Sequence, residues 1–179
     1  MVGLTRHFNS KDIMIIAAFS VLSAIALLLT NFINLVALTG IAGANGIYTQ
    51  FFTCLFLWIG VLLVRKKFVV TVISTSSALV GLIVPGGPMI AKPILLPYSI
   101  VTGLIVDLII LKFRFRLDNK LASLFGVLRA SHVLVVQKVF GVPLELGLPF
   151  FVLASLSGAM GGVFATKIYS LIDSSKWKT

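Results

Sequence analysis

Charge is what this sequence has least of: 11% of its 179 residues are charged, and five are acidic. Soluble domains carry roughly a quarter charged residues, so a water-facing globule of this size would lack polar cover. Lipid is the other common solvent, and a hydrophobic content of 59% with a mean hydropathy of +1.12 agrees with it. Cysteine is nearly missing as well. Cys54 is the single one and sits in an apolar run, which excludes an intrachain disulfide and a cysteine-based metal site; it reads as a small buried apolar side chain. Catalytic signatures are absent too: there is no H-E-x-x-H, no phosphate-binding Gly-Lys-Ser/Thr loop and no nucleophile elbow. The two histidines, His7 and His132, are far apart, and Asp107 is the one acid inside an apolar run. Intramembrane aspartyl chemistry needs two facing carboxylates. The chain is therefore expected to be no enzyme, with no cofactor and no metal.

What is there is a series of apolar runs separated by basic or Pro/Gly clusters. A membrane-crossing helix takes about 20 mostly apolar residues. Such runs extend over about 13–32, 47–64, 68–84, 94–111, 121–140 and 147–169. Arg65-Lys66-Lys67, Pro85-Gly86-Gly87-Pro88, the Lys112–Lys120 basic cluster and Gly141-Val142-Pro143 punctuate them. The expected fold is all-α: a polytopic bundle of six transmembrane helices forming one membrane domain over 1–179. The first run is too long for the apolar core of a signal peptide and is counted as a span. The segments between runs leave no room for a nucleotide-binding or nucleic-acid-reading domain.

The net charge of +10 would suit nucleic acid, but its placement argues for a lipid bilayer. With the N-terminus inside, twelve basic residues fall on the inner segments: Arg6, Lys11, Arg65, Lys66, Lys67, Lys112, Arg114, Arg116, Lys120, Lys167, Lys176 and Lys178. Lys92 and Lys138 alone fall outside, and Arg129 lies within a run. That bias puts both termini on the cytoplasmic side of a multi-pass cell-membrane protein.

Small residues line three helix faces. Ala154, Gly158, Gly162 and Thr166 recur at four-residue spacing in the sixth run, Ala17, Ser20 and Ala24 share a face of the first, and Ser77 and Gly81 one of the third. Such faces let backbones approach closely, within the bundle or against a partner subunit. Buried charges are costly and mark functional or paired positions. Asp107 lies about 7–8 Å from Lys112 along its helix, and Arg129 about 13–14 Å from Lys120; an arginine spans the difference, so the two are expected to form a structural ion pair. On the outer side, Asn34, Asn45, Tyr48, Tyr98, His132, Gln137 and Glu145 supply donors, acceptors and aromatic faces at one end of the bundle. Together they would suit a pocket for a small polar, ring-containing molecule, although each tyrosine alone also reads as an interfacial anchor.

The run Asn45-Gly46-Ile47-Tyr48, the run Gly86-Gly87-Pro88-Met89 and Thr102-Gly103 followed by Asp107 complete a layout that resembles the substrate-binding S components of energy-coupling factor transporters. It looks most like the type linked to thiamine or its hydroxymethylpyrimidine precursor. The resemblance covers nearly the whole chain. It implies a subunit that binds a water-soluble vitamin from outside and has no ATPase of its own. It also implies docking onto a membrane coupling subunit driven by two cytoplasmic ATPases, with substrate released inside after toppling. The family docks through two alanines at four-residue spacing in the first helix; Ser20 and Ala24, with Ala17 on the same face, are the nearest match. A thiamine cation would want an acid near the outer half, where Glu145 is the candidate, and a basic, amide-lined mouth equally suits an anionic or neutral vitamin. The main rival is a stand-alone secondary transporter or channel for a small solute. That class usually shows an inverted repeat and midplane ion sites, and no repeat between the halves is evident.

Overall fold

The computed structural model describes residues 8–37, 44–83, 92–112, 118–131, 134–135, 138 and 144–175. Among them are six helices and no strand: α1 (Ser10–Ala37), α2 (Ala44–Val64), α3 (Val69–Ile83), α4 (Lys92–Lys112), α5 (Asn119–Ala130) and α6 (Leu144–Ser175). The all-α expectation holds. One described stretch, Gly147–Ile172 in α6, is long and apolar enough to cross a membrane; Tyr48–Val64 and Val69–Ile83 are apolar but shorter.

Local chemistry sets the ends of these helices. At the start of α1, the Asn9 amide N–H donates to Asp12 Oδ2 and the Asp12 N–H to Asn9 Oδ1, both at 2.8 Å, a reciprocal cap that satisfies two orphan donors. Asp118 caps α5 in the same sense, accepting from the Leu121 N–H at 3.0 Å. Between α2 and α3 the chain reverses over four residues, with Arg65 and Phe68 at φ 47° and 60°. Neither is glycine, so this turn holds strain that the neighbouring contacts must offset. Arg65 Nε donates to Leu62 O at 3.0 Å and its guanidinium lies 4.7 Å from the centre of the Tyr169 ring. Lys66 Nζ reaches Asp12 Oδ2 at 2.5 Å. One turn thus ties α2 to both the first and the last helix.

The first N–H groups of α3 need acceptors, and a neighbouring helix provides them. Asp107 on α4 accepts from Thr71 N at 2.8 Å, Thr71 Oγ1 at 2.6 Å and Val70 N at 3.3 Å. Gly103, one turn earlier on α4, makes this approach possible: a Cβ there would stand 2.6 Å from Thr71 Cα. The expected ion pair between Asp107 and Arg129 is therefore corrected. The Asp107 hydrogen bonds all run to α3, where a carboxylate at a helix N-terminus also meets the positive end of the helix dipole. Depth along the helix was compatible with the pair; the direction in which α4 presents Asp107 was not.

α2 is the hub. It packs against α1, α3, α5 and α6, while α4 closes the bundle beside α3 and touches α5. Cys54, Leu57, Trp58, Val61 and Leu62 of α2 are fully enclosed with Ile73 of α3, Val106 of α4 and Phe125 of α5. The line of small residues in α6 is an internal seam: a Cβ on Gly126 of α5 would run into the Gly158 backbone, one on Gly162 into Ala122 and one on Gly161 into Phe51. Polarity is distributed inside out. Ser20, Ser23, Gln50, Thr53, Ser74, Ser77 and Thr102 are buried, while Met14, Leu29, Ile83, Leu108, Leu156 and Leu171 are exposed.

Of the fifth expected run, 121–140, residues 132, 133, 136, 137, 139 and 140 lie outside the described residues. The described helix α5 covers Asn119–Ala130, and residues 134, 135 and 138 are helical again. The Ser131 N–H reaches back to Val127 O and Leu128 O, and the Leu134 and Val135 N–H groups return to Ser131 O. Ser131 has its own hydroxyl on Leu128 O at 2.7 Å, a local alternative to the backbone ladder that favours helix ends.

Candidate functional site

Three residues at four-residue spacing on α2, Gln50, Cys54 and Trp58, face the seam between α5 and α6. Gln50 is 3% exposed, and its Cγ lies 3.1 Å from where a Cβ on Gly158 would be. The bare backbone of Gly158 is thus what makes room for it. Trp58 stacks on Phe125 with ring centres 5.3 Å apart. One turn beyond Phe125, α5 presents Arg129. Its side chain keeps some surface but lies deep among its neighbours, within electrostatic reach of Cys54 on α2 and Tyr98 on α4. The Tyr98 hydroxyl bonds Leu128 O and Ser131 Oγ at the end of α5. Behind it, Thr102 Oγ1 donates to Tyr98 O at 2.9 Å, steadying the turn of α4 that carries the ring. Arg129 and Tyr98 thus meet between α2, α4 and α5, and Gln50 lies at the neighbouring contact of α2 with α6.

Two donors in this region lack a partner. Gln50 Nε2 and Trp58 Nε1 are buried without a hydrogen bond, as is Ser155 Oγ on α6, three residues before Gly158. A buried unsatisfied polar atom costs roughly 1–3 kcal/mol. Native folds keep few of them, and each calls for a reason.

The expected site residues distribute unevenly. Tyr98 and Arg129 meet between α2, α4 and α5. Tyr48, at 62% exposure, lies on the surface of α2 and fits an interfacial anchor rather than a pocket wall. Glu145 is exposed in the first turn of α6. Asn34 and Asn45 fall in α1 and α2, but their side chains are outside the described residues, and His132 and Gln137 lie outside them altogether. The expected docking face on α1 is corrected in part: Ser20 and Ala24 are buried, and Ser20 Oγ donates to Ile73 O at 3.4 Å. They pack α1 on α3, as does the 3.1 Å Ser77–Ser23 hydrogen bond one turn on. Ala17 alone of the three is exposed. Gln50 went unrecognised in the sequence, although a lone amide at four-residue spacing from Cys54 and Trp58 in an apolar run is a legible signal.

Compared with models of known families, with curated proteins and with solved structures, the chain matches none.

Proposed function

We propose that this protein is a six-span membrane subunit that captures a small, water-soluble, vitamin-like molecule from the outside. It then delivers that molecule through a membrane coupling subunit driven by cytoplasmic ATPases, in the manner of the S components that the sequence resembles. The observation that carries the proposal is that polar side chains, among them Gln50, Tyr98, Arg129 and Ser155, lie within a bundle that exposes many large apolar side chains. Exposed Leu, Ile, Met and Phe on every side suit lipid contact and would form large apolar patches in water. Intramembrane polar groups are retained where they serve a ligand or a pathway. Docking to the coupling subunit falls to the open face of α1, where Ala17 and Ala18 stand beside Val21.

Trp58 makes a direct test possible, since it stacks one turn from Arg129 on α5. Purified protein titrated with a panel of water-soluble vitamins should show saturable quenching of tryptophan fluorescence at sub-micromolar ligand, without an ion gradient. The signal should disappear in Trp58→Phe while binding measured by calorimetry persists. Failure of the whole panel to bind would sink the capture reading.

A further inference from the structure

The end of the bundle that carries the α2–α3 turn is cationic and bordered by exposed apolar side chains. We propose that this corner binds the headgroup of an anionic phospholipid, with Lys11, Arg65 and Lys67 as its cations. The inference rests on the membrane part of the proposed function, not on the captured molecule. It goes beyond the charge bias because it names one place that holds a lipid selectively.

The turn brings its cations together by spending one of them. Lys66 Nζ sits on Asp12 Oδ2 at 2.5 Å and 5.9 Å from the centre of the Phe8 ring. That pair sets the start of α1 against the turn, and Lys11, next to Asp12, is exposed beside it. Arg65 is anchored by its Nε on Leu62 O and by the Tyr169 ring. Leu62 takes one of its five N–H donors, and the residue stays exposed. Lys67 follows, half-buried, between Lys66 and Phe68. The positive φ of Arg65 and Phe68 fixes this arrangement, and such strain persists at ligand clamps where the surroundings over-determine it. Lys112 adds a further cation. Asp107 is level with the first N–H groups of α3, and Lys112 comes about 7–8 Å later along α4, at the level of the turn. The acids nearby are committed, Asp12 to Lys66 and Asp107 to α3. Among the described residues no ion pair joins Lys11, Arg65, Lys67 or Lys112 to an acid.

A free anion would need only these cations. The corner also exposes apolar side chains directly beside them: Ile13 and Met14 follow Lys11 at 58% and 71% exposure, and Phe68 follows Lys67 at 45%. Leu108, 58% exposed, precedes Lys112 by one turn. Positive charge at the end of a helix pair with apolar surface next to it matches a phosphate headgroup above its acyl chains. Basic sites between helices on the cytoplasmic side take such headgroups.

The test uses full-length protein and its main arm requires no mutation. The protein is reconstituted in vesicles of phosphatidylcholine with a minor fraction of phosphatidylglycerol of the same acyl chains, then extracted in mild detergent for native mass spectrometry. Retained phosphatidylglycerol should exceed phosphatidylcholine by about tenfold or more relative to their supply, and raised salt should erode the preference. Added phosphatidylglycerol should raise the thermal midpoint saturably, whereas phosphatidylcholine or inorganic phosphate should not. Lys11→Gln and Lys67→Gln should each weaken retention by about fivefold, the weight of one basic residue at an anionic surface. Lys138→Gln, at an exposed position on the opposite side of the membrane in the proposed topology, should leave it unchanged. Equal retention of the two lipids, a preference untouched in the Lys11→Gln/Lys67→Gln double variant, or a midpoint rise reproduced by inorganic phosphate would each overturn the lipid site and leave the membrane reading standing. A protein that alkaline carbonate strips from the vesicles would bring down both.

Discussion

At the scale of single residues, three acids of this chain, Asp12, Asp107 and Asp118, act as clamps on helix ends. Asp12 belongs at once to the reciprocal cap with Asn9 and to the ion pair with Lys66. The hydrogen bond from Lys66, then the Asn9 N–H, hold its carboxyl below the ordinary value of 3.8. The sign of the pH dependence follows. A group whose pKa is depressed by folding contributes stability above its unfolded pKa and loses it as pH falls through the folded one. Thermal stability in detergent should therefore decline as pH drops below about 4, and part of that decline belongs to Asp12. Asp12→Asn should lower the midpoint at pH 7 and flatten the acid limb, because the amide has no proton to take up there. Acid limbs of equal steepness in the two proteins would show that the Lys66 contact contributes no stability of its own. The prediction is local to the α1–α2–α3 corner, and capture of the small molecule should be unaffected by it at neutral pH.

At the scale of helices, the seam between α5 and α6 shows what was legible in the sequence. The four-residue recurrence of Ala154, Gly158 and Gly162 announces a close backbone approach, and α6 does make one, with Gly126 and Ala122 of α5. Basic clusters and Pro/Gly breaks likewise announce where most helices end. The contacts of Tyr98 with Leu128 O and Ser131 Oγ were not legible, because they depend on how α4 packs against α5. The partner of Asp107 was hidden for a similar reason: depth can be read from residue spacing, but the helix it faces is fixed by Gly103 packing on Thr71. The inward face of α1 was read as a docking surface because small residues suit an internal and an external contact equally. Two glycines separate these effects. Gly126→Ala drives a methyl group into the Gly158 backbone and should destabilise the protein by about 1–3 kcal/mol or more, the usual range for overpacking. Gly81→Ala in α3 meets nothing within 4 Å and should be neutral or stabilising by up to about 1 kcal/mol, the helix-propensity gain. Thermal unfolding of both variants checks the pair, and a Gly126→Ala protein as stable as Gly81→Ala would mean that α5 and α6 do not meet there.

At the scale of the molecule, the inside-out arrangement and the charge bias make one claim about how the chain lies in a membrane. The polar interior gathers around α2, and the apolar exterior belongs to the outer faces of α1, α3, α4 and α6. If both termini are cytoplasmic, the α2–α3 turn with Arg65, Lys66 and Lys67 and the end of α4 with Lys112 lie inside, while the start of α2 with Tyr48 lies outside. The cysteine content makes this easy to test. Cys54 is the single cysteine and is buried, so wild-type protein in intact cells should remain unlabelled by a membrane-impermeant maleimide and serve as its own blank. Tyr48→Cys, at a position 62% exposed, should label in intact cells. Lys112→Cys and Lys11→Cys, both at exposed positions, should label only after lysis. The distribution matters more than any single site, because four crossings from Lys11 to Lys112 require Tyr48 to lie opposite both. Labelling of Lys112→Cys from outside with Lys11→Cys protected would leave an odd number of crossings between them and remove the six-span arrangement. Labelling of all three from outside would remove the membrane reading of this region, and with it the reason for an arginine and an unpartnered glutamine to be held so deep in an apolar bundle.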